Sequence, residues 1–492
     1  MNLLKKIPFF LFLLPVFFCL HGGLEDFGVI SLAEVSVIGF YISIALALLC
    51  LFFFLITKST TTALLVSFYT GAFYLFFGAL QDWLNGIYFL SFLNRYIILL
   101  PFLFISSWTL LYFFKKNTTV QKKIFLYINC LLIIYCVLDA GLLISKSFNY
   151  KKLQESKILF NYKKVTVKPD VYYLLFDEYP GYSSLESGFG FKNDSLYDFF
   201  RQQQFKILPT YSNYNFTIFS ISSIFNMQYV KDDYNHDHEI TDQRDFRNRF
   251  NEIKNAEVFS IYNRMGYKIE NYSIFDVGNQ SCVNPDKSFL PVHSRVLTTK
   301  MLHNRLIKNI GWWFNGTWLE NIFKKPEAIY QADETNQDIE KKLQQSLLQK
   351  NSNPIFYYAH LVMPHAPYFR DSSGTLLNKK YAGSVSLNDT EYFLDYLKYT
   401  NKVIRSLVNN IVTHNPSAIV IVMSDHGFRD YNHHKDYHAP AFNNICAVRF
   451  PDKDTIPDKD SFSTVNFFRY VFNCEYNQQI PYLKDSTIWL NY

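Results

Sequence analysis

Charged residues are distributed very unevenly along this 492-residue chain, and this distribution constrains the fold more than any other feature. Residues 1–145 contain 13 of the 90 aspartate, glutamate, lysine and arginine side chains, and residues 146–492 contain the other 77. A single soluble domain would not divide in this way, and a disordered chain would be less hydrophobic than the 49% found here. The sequence therefore predicts a membrane domain over residues 1–145, followed by a soluble domain.

Five apolar stretches without charged side chains account for most of residues 1–145. A membrane-spanning helix needs ~20 mostly apolar residues, with a range of about 17–25. Four stretches reach this length, and the fifth reaches it if its helix continues through Asp139 to about Ser145. Asp139 would then lie near the outer end of its helix, where we expect an interfacial carboxylate. The five predicted transmembrane helices are Ile7–Leu24, Val35–Thr57, Ser59–Gln81, Tyr96–Phe114 and the helix that begins with Ile124–Leu138.

Basic side chains in the short loops predict the orientation of these helices, because cytoplasmic loops carry an excess of lysine and arginine. Lysines lie before the first stretch, between the second and third, and between the fourth and fifth, whereas Arg95 is the only basic residue in the other loops. The sequence predicts a multi-pass protein of the inner (cytoplasmic) membrane, with everything after about residue 146 outside the cytoplasm. The lysines concerned are Lys5, Lys6, Lys58, Lys115, Lys116, Lys122 and Lys123.

Residues 169–492 alternate apolar runs of strand length with helical patterns, after a lysine-rich linker predicted at 146–168. Continuous apolar runs are typical of strands that are buried on both faces of a sheet. Strand–helix–strand alternation over this length predicts an α/β domain with a mostly parallel central sheet. The predicted strands are Val171–Phe176, Ile355–Val362, Ala418–Met423 and Ile445–Phe450, and the predicted helices include Asp194–Gln204 and Tyr392–His414.

Polar side chains follow three of these strands. Asp177 and Glu178 come directly after the first strand, His365 follows the second, and Asp425 and His426 follow the third. Because ligands of open α/β sheets gather at the carboxyl ends of the strands, we expect these side chains at one edge of the sheet. Carboxylate oxygen and imidazole nitrogen together suit divalent cations such as zinc or manganese. Each motif alone also fits an ordinary loop or turn, but their combination predicts a metal site.

Thr217 is the candidate nucleophile for such a site. It opens an apolar, helix-like run that extends to about Met227, so the alternative is that its hydroxyl caps that helix. In the functional interpretation, the metal and the helix N-terminus lower the pKa of the hydroxyl and leave it facing an anion-binding position. Ser220 and Ser222 lie one turn further along and are weaker candidates.

Three motifs resemble the alkaline phosphatase/sulfatase superfamily: Lys168–Asp177 (KPDVYYLLFD), Asn213–Thr217 (NYNFT) and Ser424–Gly427 (SDHG). The branch that this chain resembles most is the membrane-anchored, lipoteichoic acid synthase-like (sulfatase-like) one. Enzymes of that branch also have five N-terminal spans followed by an extracellular catalytic domain. The resemblance covers essentially the whole chain, and it implies a sulfatase-like fold for residues 169–492.

The resemblance also implies roles for individual residues. Thr217 matches the metal-bound nucleophile, and His365 matches the histidine that contacts phosphoryl or sulfuryl oxygens of the substrate. Glu178 matches a second acid that sulfatases often use as a ligand and the synthases lack, and it is a candidate substrate contact here. His438, at the end of the run 433–438, is expected near the site, with a solvated loop as the alternative. The implied metal ligands are Asp177, Thr217, Asp425 and His426.

One departure from the family concerns the nucleophile. Sulfatases that use formylglycine carry a C/S-x-P-x-R motif, whereas no cysteine lies near Thr217 and the segment after Cys282 lacks the pattern. This departure favours phosphoryl chemistry through threonine over hydrolysis of ordinary sulfate esters.

The predicted function is therefore transfer of a phosphoglycerol- or phosphoethanolamine-type head group from a phospholipid donor to an envelope glycan or lipid. A divalent cation (Mn, Zn, Mg or Ca) and a covalent phosphothreonine take part. The alternatives are hydrolysis of a sulfuric or phosphoric ester and a binding domain without chemistry. A net charge of +6 is too small and too dispersed to predict a nucleic-acid partner.

Overall fold

A computed structural model of the protein describes residues 4, 7–27, 30–153, 158–230, 238–239, 243–283, 297–310, 328–349, 352–377, 390–429, 438–451 and 460–491. The chain divides into two compact units. The first contains Met1–Glu155 and Asp286–Pro326, and the second contains Ser156–Pro285 and Glu327–Tyr492. This division differs from the predicted one, which placed all of residues 169–492 in a single domain.

Helices and strands are numbered here in chain order. The helices are α1 (Phe9–Glu25), α2 (Leu32–Thr57), α3 (Thr60–Leu75), α4 (Phe77–Asn85), α5 (Tyr96–Lys116), α6 (Thr118–Leu153), α7 (Tyr182–Phe189), α8 (Asp194–Gln202), α9 (Thr217–Asn226), α10 (Gln243–Lys254), α11 (Glu257–Arg264), α12 (Leu302–Ile310), α13 (Ala328–Ser346), α14 (Thr390–His414), α15 (His438–Phe442) and α16 (Phe467–Glu475). The strands are β1 (Val171–Phe176), β2 (Lys206–Ile207), β3 (Thr210–Tyr211), β4 (His238–Glu239), β5 (Lys268–Tyr272), β6 (Ile355–Leu361), β7 (Ile419–Met423), β8 (Cys446–Arg449), β9 (Phe462–Ser463) and β10 (Leu490–Asn491). Short 3₁₀ helices occupy Tyr88–Asn94, Tyr162–Lys164 and Thr464–Asn466.

All five predicted apolar stretches are helical, but the predicted count of five spans is not confirmed. Among the described residues, three helices are long and apolar enough to cross a membrane, namely α2, α5 and the part of α6 up to Phe148. The count rises to four if α3 and α4, which meet at a 58° bend, form one broken span. Helix α1 has only 17 residues, or about 25 Å at ~1.5 Å per residue, against a hydrocarbon core of ~30 Å.

Helix α6 continues to Leu153, beyond its predicted end at Ser145 and into the predicted linker. Asp139 of this helix is 8% exposed, and its Oδ2 lies 3.1 Å from His21 Nδ1 of α1. The carboxylate is therefore buried and lies against a side chain of a neighbouring helix, and its interfacial position stays a prediction.

Residues 297–310 belong to the first unit because they pack against its helices. Leu297 and Met301 are buried in the same apolar core as side chains of α1 and α2. Lys300 Nζ lies 3.0 Å from Glu25 Oε2, and Arg305 Nη2 lies 2.7 Å from Asp82 Oδ2. This segment has no long apolar run, which is why the sequence grouped it with the soluble part of the chain.

The second unit contains the predicted α/β domain. In the part of the chain that the structure describes, six strands form one sheet in the order β2-β8-β7-β1-β6-β5. Strands β5, β6, β1 and β7 are parallel neighbours, whereas β8 is antiparallel to β7 and β2. The sheet is therefore mostly parallel, as predicted, and the carboxyl ends of β6, β1 and β7 meet at one edge.

Alternate side chains of each central strand enter two different cores, one on each face of the sheet, because successive residues of a strand point to opposite sides. This arrangement confirms that the continuous apolar runs are strands buried on both faces. For β1, one core contains Val171, Tyr173 and Leu175, and the other contains Tyr172, Leu174 and Phe176.

Candidate active site

The carboxyl ends of β1 and β7 bring together three side chains with metal-ligand chemistry. Asp177, Asp425 and His426 each offer one ligand atom, and these atoms all lie within 4.8 Å of one another. Asp425 and His426 are fully buried, and Asp177 is 4% exposed. The structure thus places these three predicted residues in one cluster, where parallel register puts β7 next to β1.

Two neighbouring atoms of this cluster are suited to bind one cation. His426 Nδ1 lies 2.7 Å from the Gly427 carbonyl oxygen, which can only accept, so Nδ1 carries a proton and Nε2 is the nitrogen available to a cation. His426 Nε2 lies 3.2 Å from Asp425 Oδ2. Asp425 Oδ2 is buried without a hydrogen-bond partner among the described residues. A buried carboxylate oxygen without a partner is costly, and a cation would remove that cost.

The charges of the site also fit a divalent cation. Asp177, Glu178 and Asp425 are three buried carboxylates, and within the described part of the site Arg429 is the guanidinium that faces them. Three carboxylates against one guanidinium leave an excess of two negative charges before any imidazole is protonated. Carboxylate oxygen, hydroxyl oxygen and imidazole nitrogen are ligands that zinc and manganese accept.

Thr217 is the first residue of α9, not its cap, so the capping interpretation of its hydroxyl is wrong. Phe216 occupies the N-cap position and makes no side-chain capping bond. The Thr217 hydroxyl instead lies 3.4 Å from Asp177 Oδ1 and 3.2 Å from His426 Nε2. A hydroxyl has one proton to donate, so it can satisfy one of these acceptors at a time.

The loop before Thr217 is held in place by hydrogen bonds to distant parts of the second unit. Asn215 Nδ2 donates to the Leu490 carbonyl at 3.0 Å, and Asn215 Oδ1 accepts from the Leu490 amide at 2.8 Å. Asn213 Oδ1 accepts from the amide of Val465 at 2.6 Å. These bonds orient the N-terminus of α9 toward the sheet edge and leave the Thr217 hydroxyl free of a structural role.

The weaker candidates on α9 face away from the cluster. Ser220 Oγ donates to the Tyr214 carbonyl at 2.7 Å, and Ser222 Oγ donates to Glu252 Oε2 at 2.5 Å. Both hydroxyls already have structural partners, so Thr217 is the hydroxyl of this helix that reaches the cluster.

Glu178 lies beside the three-residue cluster rather than within it. Its Oε1 accepts hydrogen bonds from the Arg429 amide at 3.0 Å and from Arg429 Nε at 3.4 Å. Its own amide donates to Asp425 Oδ1 at 3.1 Å, and its backbone adopts a left-handed conformation with φ of 60°. Burial raises the pKa of Glu178, but His365 and Arg429 lower it by more, so the carboxylate remains ionised.

Asp177 is ionised for a similar reason. Burial raises its pKa, whereas the imidazoles of His365 and His360 lower it by more, and the resulting pKa lies well below the ordinary value for aspartate. Its amide donates to the Leu361 carbonyl at 3.0 Å, which ties the end of β1 to the end of β6. An ionised carboxylate in this position is ready to bind a cation.

His365 reaches the same region from the loop after β6. Its Nε2 lies 3.5 Å from Glu178 Oε2 and 2.9 Å from Arg429 Nη2. Burial lowers its pKa, but Asp177 and Glu178 raise it by more, so the net direction is upward. Arg429 can donate only to a neutral imidazole, so protonation of His365 requires these two side chains to move apart.

Two site residues were missed by sequence reasoning. Arg429 lies two positions after the Ser424–Gly427 motif and pairs with Glu178. Its position shortly after the end of a strand was the signal that could have identified it as a site residue. His360 is buried within β6, where its Nε2 lies 3.5 Å from Asp177 Oδ2 and has no hydrogen-bond partner among the described residues. A single imidazole in an otherwise apolar strand was the signal for it.

His438, which was predicted near the site, begins helix α15. Its side chain and residues 433–437 lie outside the described residues, so its predicted contact with the substrate stays a prediction.

The family to which the chain belongs follows from its sequence. The sulfatase family matches residues 179–445, which is 267 of 492 residues. The chain belongs to the sulfatase family and is an enzyme of the alkaline phosphatase superfamily, whose sulfatase members are metal-dependent. The matched range includes Thr217, His365, Asp425 and His426, and it begins directly after Asp177-Glu178. A search among curated proteins found no significant relative.

Solved structures similar to this chain share little sequence with it. A structure from work on glycosaminoglycan metabolism by Bacteroides thetaiotaomicron is 17% identical, with a TM-score of 0.40 over 64% of this chain and 74% of that one. The C-terminal periplasmic domain of Escherichia coli EptC in complex with Zn is 12% identical, with a TM-score of 0.39 over 65% and 85%. A phosphonate monoester hydrolase of Agrobacterium radiobacter is 11% identical, with a TM-score of 0.39 over 65% and 76%.

Proposed function

We propose that this enzyme is a membrane-anchored transferase that moves a phosphoglycerol- or phosphoethanolamine-type head group from a phospholipid donor to an envelope glycan or lipid. The observation that carries the proposal is the position of the Thr217 hydroxyl. It lies at the N-terminus of α9, within 3.4 Å of Asp177 and 3.2 Å of His426. A hydroxyl in this position can act as a nucleophile toward phosphorus, and no formylglycine motif competes with it.

Asp177, Asp425, His426 and Thr217 would hold the divalent cation, for which manganese, zinc, magnesium and calcium remain candidates. When bound, such a cation supplies Lewis acidity that lowers the pKa of a hydroxyl and balances charge on phosphoryl oxygens. Asp425 would contribute Oδ2, which has no hydrogen-bond partner within the described ranges, and His426 would contribute Nε2.

The proposed reaction has two steps. Thr217 Oγ1 loses its proton and forms a bond to phosphorus, while the bond from phosphorus to the lipid oxygen breaks and that oxygen takes up a proton. Arg429 and His365 would contact the phosphoryl oxygens. Arg429 Nη1 lies 3.5 Å from the Asn215 carbonyl, near Thr217. In the second step, the acceptor hydroxyl oxygen forms a bond to phosphorus, the bond from phosphorus to Thr217 Oγ1 breaks, and the proton released by the acceptor hydroxyl returns to Thr217 Oγ1.

The membrane part supports transfer rather than hydrolysis. An anchored catalytic unit has lipid donor and envelope acceptors at high local concentration, so an acceptor hydroxyl can compete with water for the phosphothreonine. We expect labelled lipid donor to yield mainly labelled glycan or lipid acceptor when acceptor is present. The measurement is the partition of label between acceptor and free head-group phosphate. Free head-group phosphate as the sole product, with and without acceptor, would identify the enzyme as a hydrolase.

We further propose five membrane spans with the N-terminus in the cytoplasm and the catalytic unit outside. The lysine distribution supports this orientation, and two ion pairs support it as well. Lys300 and Arg305 follow the last predicted span, and they pair with Glu25 and Asp82, which belong to loops predicted to face outward. A reporter enzyme fused after residue 160 is expected to be active only outside the cytoplasm. The matched control is fusion after Asn117, between α5 and α6, which should show activity only inside. Cytoplasmic activity of the residue-160 fusion would refute the orientation.

A further inference from the structure

A polar cavity of about 300 Å³ lies within the first unit, apart from the residues of the candidate active site. It is lined by side chains of α4, of the 3₁₀ helix Tyr88–Asn94, of the start of α5 and of α12. Two guanidinium groups, Arg95 and Arg305, face it together with the amides of Gln81 and Asn309. The sequence analysis assigned no function to any of these residues.

The segment around the cavity has the composition of a membrane interface. Trp83 near the end of α4 is 59% exposed, and Tyr88, Phe89 and Phe92 in the stretch that joins α4 to α5 are 95%, 73% and 56% exposed. Exposed aromatic rings between two predicted spans are typical of the level of lipid head groups. The 58° bend between α3 and α4 turns the chain away from the direction of α3 just before this stretch. Exposed aromatic rings beside the cavity are what a position at the head-group level of a membrane requires.

The charges of the cavity favour an anion. Arg305 is neutralised by Asp82, whose Oδ2 lies 2.7 Å from Arg305 Nη2. Arg95 is exposed and makes no ion pair with any described residue, so it leaves a net positive charge. Guanidinium groups bind phosphate oxygens through paired N–H donors, and the N-terminus of α5 adds backbone N–H groups directly after Arg95.

Gln81 supplies a second, independent indication of a ligand. Its side chain is 4% exposed, and its Nε2 donates to the Asn94 carbonyl at 3.0 Å. Its Oε1 is buried without a hydrogen-bond partner among the described residues, although the side chain lines the cavity. A buried acceptor without a partner requires a donor, and a hydroxyl or ammonium group beside a phosphate would supply one.

We propose that this cavity binds the phosphodiester head group of a membrane glycerophospholipid, with phosphate at Arg95 and Arg305 and the head-group hydroxyl or ammonium at Gln81. A free phosphate ion shares the anionic chemistry and carries a P–OH donor of its own, but it gives no reason for the exposed aromatic rings around the cavity. The assignment of this lipid as the donor rests on the proposed function; the binding site itself does not.

The test measures binding of a fluorescent short-chain phosphatidylglycerol to the full-length chain in detergent micelles. Thr217→Ala is the background, so that no turnover accompanies binding. Arg95→Gln is expected to weaken binding roughly tenfold or more, because a charge-assisted contact with phosphate is lost. The affinity of Arg95→Lys should lie between those of the background protein and Arg95→Gln, because lysine keeps the charge but lacks the planar guanidinium with its paired N–H donors. Arg201→Gln, at an exposed position of α8, is the matched control and should bind like the background protein.

A second variant guards against a trivial loss of folding. Asn309→Asp places a carboxylate in the cavity from α12, and it should also weaken binding by repelling the phosphate. Unchanged binding in both Arg95→Gln and Asn309→Asp would overturn the proposal. Full displacement of the probe by millimolar inorganic phosphate would show a site for the free ion and overturn the assignment to lipid. Absence of a Thr217 adduct in the wild-type enzyme would refute the proposed function and leave the binding result intact.

Discussion

Replacing Thr217 with alanine is expected to abolish both turnover and the covalent adduct, with a loss of at least ~10³-fold, as for other catalytic nucleophiles. The physical reason is that Thr217 Oγ1 is the described hydroxyl that contacts both Asp177 and His426. The measurement is mass spectrometry of the Thr217 peptide after the purified enzyme has been exposed to membrane lipids. The wild-type peptide should gain the mass of the donor head-group phosphate.

Two further variants make this result specific to the nucleophile. Thr217→Ser keeps a hydroxyl at the N-terminus of α9 and should retain part of both activity and adduct. Ser220→Ala removes a hydroxyl of the same helix that donates to the Tyr214 carbonyl, and it should leave the adduct in place. An adduct on any other residue of Thr217→Ala, with turnover preserved, would show that the nucleophile has been misassigned.

Removal of one ligand of the Asp177–Asp425–His426 cluster is expected to strip the metal. Asp425 is fully buried, and its Oδ2 has no hydrogen-bond partner among the described residues but lies 3.2 Å from His426 Nε2, so the two atoms are placed to bind one cation. Mutations outside the first ligand sphere cost about 10–100-fold in metal affinity, and loss of a direct ligand should cost at least ~100-fold. Elemental analysis of purified Asp425→Ala, Asp177→Ala and His426→Ala checks this expectation.

Because Asp425 Oδ1 also accepts from the Glu178 amide at 3.1 Å, alanine removes a structural contact together with the ligand. Asp425→Asn keeps an acceptor for that amide while removing the charge, so it separates metal loss from misfolding. Asp198→Ala is the control, since this carboxylate is 59% exposed on α8 and pairs with Arg201 at the helix surface. Full metal occupancy in Asp425→Asn and Asp425→Ala would rule out the proposed ligand set.

Local patterns in the sequence were sufficient for the sheet and for the core of the site. The apolar run that predicted Ile355–Val362 ends within one residue of the observed β6, and Val171–Phe176 is the observed β1. Parallel neighbours must place their carboxyl ends at one edge, so Asp177, Asp425 and His426 could be brought together before any coordinates were known. The uneven distribution of charge likewise separated a membrane part from the rest of the chain.

Contacts between residues far apart in the chain were decided only by the tertiary structure. Glu178 and Arg429 are 251 positions apart, and no local pattern predicts that one ends beside the other. The same holds for residues 297–310, which the sequence placed in the catalytic domain and which pack against α1 and α4 through Lys300 and Arg305. Sequence periodicity indicates which face of a helix or strand is buried. Which residues that face contacts depends on how whole helices and strands pack, and packing is a property of the complete chain.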